Sequence, residues 1–120
     1  MYSFEGIGQW AATFACAEAE EEAAKVTEGA VVKMAANGTV GLCAGGEAFC
    51  GMVLSAGRDG GACTVALGGM VTAGYTGAAP ALGWSGLSAD GSGGVKADAA
   101  GRARLVVDVD TDGQTVTFVL

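Results

Sequence analysis

The strongest constraint on the fold lies in residues 105–120, where two apolar-alternating segments flank Asp112-Gly113. A two-residue Asp-Gly turn between such segments is the strongest short signal for a β-hairpin. The turn places apolar pairs on one face, namely Val109 with Val116, Val107 with Phe118 and Leu105 with Leu120. It places polar pairs on the other face, namely Asp110 with Thr115 and Asp108 with Thr117. Because one register satisfies the alternation of both strands, the segment predicts a hairpin.

The hairpin contains DVDTDG, from Asp108 to Gly113, which is also the opening pattern of a calcium-binding EF-hand loop. The twelfth position of that loop requires a bidentate glutamate, and here it is Val119. The flanking segments are β-branched and do not have the pattern of amphipathic helices. We therefore interpret Asp108 and Asp110 as the polar face of a hairpin and predict no metal site.

Glycine-closed apolar segments recur upstream, in a chain with 22 glycines and one proline. Short strands at this spacing predict an all-β, single-domain β-barrel or β-sandwich built of glycine-rich hairpins over residues 27–120. The predicted strands and turns are Val31–Ala36, a primed turn at Asn37-Gly38, Thr39–Cys43, Phe49–Ser55, a turn at 58–61, Ala62–Leu67, Gly68-Gly69, Met70–Ala73, Trp84–Ser88, a turn at 90–94, and Val95–Ala97.

Residues 1–26 differ from the rest and are predicted to form an N-terminal arm. Residues 9–15 are compatible with a strand, and residues 17–25 have the composition of one short helix, with an acidic loop as the alternative. Half of the aromatic residues lie in the first fourteen positions, at Tyr2, Phe4, Trp10 and Phe14. They have two interpretations, as core residues or as anchors on a partner surface, and we take them as candidate partner-binding residues.

The composition excludes several functions. A net charge of −7 without a basic stripe argues against a nucleic-acid partner. The uncharged span 60–89 contains Pro80 and many glycines, which argues against a membrane helix, and Met1–Glu5 has no secretion-signal pattern. No histidine is present, the four cysteines fit no zinc spacing and are expected to be free thiols, and no phosphate loop occurs. We therefore expect no enzymatic activity and no cofactor.

The succession of motifs from Thr27 to Leu120 resembles a known family of phage proteins. The motifs are GAVVKM from Gly29, NGTVG from Asn37, FCGMVL from Phe49, VALGGMVTA from Val65, LSADGSGGVK from Leu87, LVVDVD from Leu105 and TVTFVL from Thr115. This pattern resembles the capsid cement, or head-decoration, proteins of tailed phages, some of which once carried a label as RecA/RadA-like recombinases. The recombinase label does not suit this chain, which has no phosphate loop and no basic DNA-binding face.

The resemblance implies a compact β-barrel, made in the bacterial cytoplasm, that sits on the exterior of the capsid in the virion. It implies the major capsid protein as partner and a trimeric homo-oligomer, and it carries over no catalytic residue. Two alternatives stay open, a tail or fibre binding module and a small β-barrel ligand carrier. The carrier would require an apolar cavity, with Cys43 or Cys50 as its only visible chemistry.

Overall fold

Ten β-strands make up the part of the chain that the computed structural model describes, residues 9–16, 27–56 and 62–120. No helix occurs within those ranges, and the all-β prediction is confirmed. The predicted turn at 58–61 and the acidic segment 17–25 lie outside the described residues. The strands are β1 (Trp10–Cys16), β2 (Val31–Ala36), β3 (Thr39–Leu42), β4 (Gly51–Ala56), β5 (Ala62–Gly68), β6 (Met70–Gly74), β7 (Gly83–Ala89), β8 (Val95–Ala97), β9 (Arg102–Asp110) and β10 (Thr115–Val119).

The first five strands close into a barrel in the order β1-β3-β2-β4-β5. β1 runs antiparallel to β5 and parallel to β3, and these two pairings close the barrel. β1 therefore belongs to the barrel, although its residues fall within the predicted arm 1–26. Residues 9–15, whose sequence is compatible with a strand, contribute most of β1. The barrel interior is filled by small apolar side chains, namely Val32, Val40, Val53, Cys63 and Val65, with Phe14, Cys16, Leu42 and Leu67 packed against them.

The last five strands form a second sheet in the order β6-β10-β9-β7-β8, which packs on the outside of the barrel. An isolated parallel bridge between Tyr75 and Val95 brings its two edges together. Successive residues of a strand point to opposite faces, so β2 sends Val32 into the barrel and Val31 into the larger core between the layers. Gly69, at φ 90°, lies where the chain leaves the barrel and enters the second sheet.

The structure confirms the C-terminal hairpin and corrects part of its register. Three predicted pairs are present, Asp110 with Thr115, Val109 with Val116 and Asp108 with Thr117. A β-bulge then shifts the register, so Phe118 lies opposite Val106, and the predicted pairs beyond the bulge are wrong. The loop is four residues long, 111–114, with Gln114 at φ 53°, where the sequence predicted a two-residue turn. The Asp110 carboxylate accepts two backbone N–H groups of this loop, which gives it a structural role.

Two further hairpins occur where the sequence predicted them. β2 and β3 are joined at Asn37-Gly38, and β7 pairs with β8 across residues 90–94. The primed turn is wrong, because Gly38 has a positive φ of 63° and Asn37 does not. Both primed turns require a positive φ at the first central residue.

Candidate protein-interaction surface

The four aromatic residues predicted as contacts do not form one cluster in the part of the chain that the structure describes. Tyr2 and Phe4 lie outside the described residues. Trp10 is 60% exposed and lies over Gly68 of β5, where any side chain would overlap the indole ring. Phe14, four residues further along β1, packs against the barrel core. Trp10 is therefore available to a partner, whereas Phe14 contributes to the barrel interior.

The most exposed apolar side chains are ones that the sequence analysis did not select. Trp84 of β7 is 76% exposed, and Leu82, just before the strand, is 68% exposed. Trp84 lies opposite Leu105 of β9, on the face of the sheet that points away from the core. The alternation of Leu82 and Trp84 within an uncharged span was the signal that could have identified them. Large exposed apolar side chains that adjoin one another are typical of interaction sites.

Beside Trp84 the second sheet has a depression of about 230 Å³, which we call the β9 notch. β10 pairs with β9 only from Val106 onwards, so residues 102–105 of β9 have β7 as their neighbour and no strand on the other side within the described chain. The depression lies at this open edge. It is lined by Trp84, Arg102, Ala103, Arg104, Leu105, Val119 and Leu120.

Two of the six Lys and Arg residues of this acidic chain line the β9 notch. Arg104 is only 5% exposed; its Nη2 donates to the Phe49 carbonyl oxygen at 2.9 Å, and its Cζ lies 4.7 Å from the centroid of the Phe49 ring. Its Nε is buried and has no hydrogen-bond partner. Burial, and then the positive charge of nearby Arg102, lower the pKa of Arg104. Within the described ranges neither arginine has a carboxylate at ion-pairing distance.

A wider depression of about 430 Å³ lies at the other end of the second sheet, lined by the loops around Ala30, Thr76 and Gly94. Its principal charged group, Asp90, already has partners. One carboxylate oxygen accepts the backbone N–H groups of Ser92 and Gly94, and the other faces the Thr76 hydroxyl at 3.4 Å. This carboxylate shapes the loop 90–94, which closes the β7–β8 hairpin.

Three of the cysteines, Cys43, Cys50 and Cys63, do not have the features of activated nucleophiles. All four are free thiols. Burial raises the pKa of Cys43 to about 11 and that of Cys63 to about 12, and it also raises the pKa of Cys50. A nucleophilic or metal-binding thiol needs a lowered pKa. The thiol chemistry that a ligand-carrier function would use at Cys43 or Cys50 therefore has no support in this geometry.

Comparison with known proteins identifies no relative: no family model, no curated protein and no solved structure matches the chain. Among the residues described, no group of three or more Cys, Asp or Glu side chains is placed to hold a metal ion. The same residues include no helix of the length and apolarity needed to cross a membrane. The exposed face around Trp84 and the β9 notch is thus the feature of the molecule that points to a function.

Proposed function

We propose that this protein is a non-enzymatic virion structural protein that decorates and stabilises a phage or prophage capsid. The observation that carries the proposal is the exposed apolar surface of the second sheet, where Trp84 lines the β9 notch and the exposed Leu82 lies two residues before it in the chain. The likeness of the strand and glycine pattern from Thr27 to Leu120 to head-decoration proteins supports it. The partner is then the major capsid protein, and the working form on the shell is a trimer.

The mechanism is stabilisation by binding. A protein that binds the assembled shell but not its separated subunits stabilises the shell by mass action, and the effect is multiplied over many copies. Such a task needs a rigid surface with a few large anchors. Trp84 suits it because a strand of a two-layer β-structure holds the residue in place and the ring loses little conformational freedom on binding.

The predicted N-terminal contacts remain part of the proposal in modified form. Trp10 is exposed and stays a candidate contact, together with Tyr2 and Phe4. Phe14 is left out, since its half-buried ring packs against the barrel core. We expect Trp84 to contribute more than Trp10, because Trp84 is the more exposed of the two and lines the β9 notch.

The proposal is tested by quantitative mass spectrometry of phage particles induced from a strain that encodes the chain. We expect copy numbers comparable with those of the major capsid protein. A handful of copies per particle would indicate a tail or fibre module instead, and absence from particles despite good expression would refute a virion role.

The contact surface is tested on particles stripped of the protein and reloaded with purified variants. Trp84→Ala should reduce occupancy at least about tenfold, as expected for an aromatic anchor. Met34→Ala is the matched control, because Met34 is also an exposed apolar residue, at 46%, but lies outside the proposed surface. Equal occupancy for the two variants would contradict the assignment of the surface.

A further inference from the structure

We propose that the β9 notch binds an extended segment of a partner protein that carries a carboxylate side chain, which pairs with Arg102 beside the exposed ring of Trp84. The inference rests on the proposed function only for the identity of the partner, which would be the capsid subunit. The chemistry that defines the ligand comes from the notch itself: a strand edge without a neighbouring strand and two arginines without a carboxylate partner, both among the residues that the structure describes, and an apolar floor.

The open edge of β9 favours an extended ligand. Residues 102–105 are in strand conformation and have a strand neighbour on the β7 side only, among the residues that the structure describes. A strand edge presents backbone N–H and C=O groups that an added peptide strand can bond.

The positive charge of the notch favours a ligand that carries a carboxylate side chain. The chain has a net charge of −7, yet Arg102 and Arg104 lie two residues apart on β9 without a carboxylate partner in the described ranges. Arg102 is exposed, so its guanidinium can form a bidentate pair with an incoming carboxylate. The second positive charge, on the buried Arg104, favours the same ligand.

The apolar part of the notch favours a ligand with apolar residues on either side of that carboxylate. Leu105, Val119 and Leu120 are half-buried, and Trp84 stands beside them with 76% of its surface exposed. Apolar residues on either side of the carboxylate would cover this surface. The ligand is therefore an alternating segment of the type apolar, acidic, apolar, in strand conformation.

A second copy of this chain fits the notch less well than a different protein does. Pairing of two β9 edges about a twofold axis is isologous, so each copy would present the same residues to the other. The guanidinium groups of Arg102 and Arg104 in the two copies would then lie close together, and like charges at this spacing repel one another.

The experiment is a fluorescence titration of the Trp10→Phe variant, in which Trp84 is the sole tryptophan. The probe is the peptide acetyl-Thr-Val-Asp-Val-Thr-amide, and the matched peptide has Asn in place of Asp. We expect saturable binding of the Asp peptide that weakens with rising salt, and about tenfold weaker binding of the Asn peptide. Arg102→Gln should remove the preference for Asp, whereas Lys96→Gln, which removes one positive charge outside the notch, should preserve it.

Equal binding of the two peptides, absence of binding by both, or equal effects of the Arg102 and Lys96 substitutions would overturn the proposal. Sedimentation of the peptide-free protein completes the test, since self-association that Arg102→Gln strengthens would assign the edge to a second copy instead. The titration contains no phage particle. Peptide binding by a protein that is absent from virions would refute the proposed function alone, and capsid decoration without peptide binding would refute the notch alone.

Discussion

The contact of Phe49 with Phe118 and Arg104 joins the barrel to the second sheet, and replacing Phe49 by Leu tests it directly. Phe49 lies just before β4, is 3% exposed, and meets the ring of Phe118 edge-on at a centroid distance of 5.8 Å. The Arg104 guanidinium lies over the Phe49 ring at 4.7 Å. Phe118 is similarly buried, and no cation of the described residues lies over its ring, which makes Phe118→Leu the matched control.

The structure gives the expected size of each effect. Exchanging a buried phenylalanine for leucine costs about 1 kcal/mol for lost volume and shape. Loss of the aromatic pair costs about 1 kcal/mol more in either variant. Loss of a desolvated cation–π contact adds about 2 kcal/mol in Phe49→Leu only. We therefore expect Phe49→Leu to lower the free energy of unfolding by about 4 kcal/mol and Phe118→Leu by about 2 kcal/mol.

The assay is urea denaturation monitored by far-ultraviolet circular dichroism, with the free energy of unfolding extrapolated to water. A double-mutant cycle that combines Phe49→Leu with Arg104→Met should give a coupling energy of about 2 kcal/mol. Equal destabilisation by the two leucine variants, together with a coupling energy near zero, would refute the assignment of a stabilising cation–π contact to this cluster.

Three further predictions concern the packing and the titrating groups. A methyl group at Gly51 would overlap a backbone oxygen of β5, so Gly51→Ala should lower the free energy of unfolding by about 1–3 kcal/mol in urea denaturation. With its pKa raised from 9.0 to about 11, Cys43 should react with iodoacetamide at pH 8 about 100-fold more slowly in the folded than in the unfolded protein. The hydrogen-bonded ion pair with Lys33 lowers the pKa of Glu47 from 4.5, so its stabilisation is present above about pH 4.5 and is lost as the pH falls through the folded-state pKa. Thermal unfolding between pH 3 and 6 should therefore depend less on pH in Glu47→Gln.

Each of these predictions has a control within the chain. Gly45→Ala should change the free energy of unfolding by less than about 0.5 kcal/mol, because the nearest atom to a methyl group there is 3.5 Å away. Similar losses in the two glycine variants would contradict the steric argument. Equal alkylation rates of Cys43 in folded and unfolded chains would show that its thiol is accessible. An unchanged pH profile in Glu47→Gln would show that other carboxylates determine the acid response.

Local pattern predicted the hairpins because their register depends on residues close in sequence. Alternation and the turn residues placed Val109 and Val116 correctly. They could not reveal the bulge before Phe118, because an extra residue on one strand leaves the apolar composition of both unchanged. The parallel pairing of β1 with β3 is non-local and had no signal in sequence at all.

The division of the fold into two layers could in principle have been predicted from the sequence. Consecutive apolar residues such as Val31-Val32 and Met52-Val53 indicate strands buried on both faces. As strand signals alone, these runs predict a barrel or a sandwich, whereas the structure combines a closed barrel with a second sheet.

The candidate surface was missed for a different reason. The density of aromatic residues indicates residues 1–14 as a contact segment, whereas the exposure of a side chain depends on the face of the sheet on which it lies. Trp84 and Leu105 are paired across β7 and β9, and the described part of β10 pairs with β9 only from Val106 onwards. These pairings join strands that are distant in the sequence, so no short segment of the sequence predicts them.

The two-layer arrangement also explains how a tryptophan can stay exposed without weakening the fold. The barrel is filled by valines and Cys63, and the second core by its own set around Phe118, so neither core needs the outer face of the second sheet. Trp84 contributes little buried area at 76% exposure, and its replacement should change stability by less than about 0.5 kcal/mol. A large loss of binding in Trp84→Ala would therefore report on recognition, because the same substitution leaves the folded state almost unchanged.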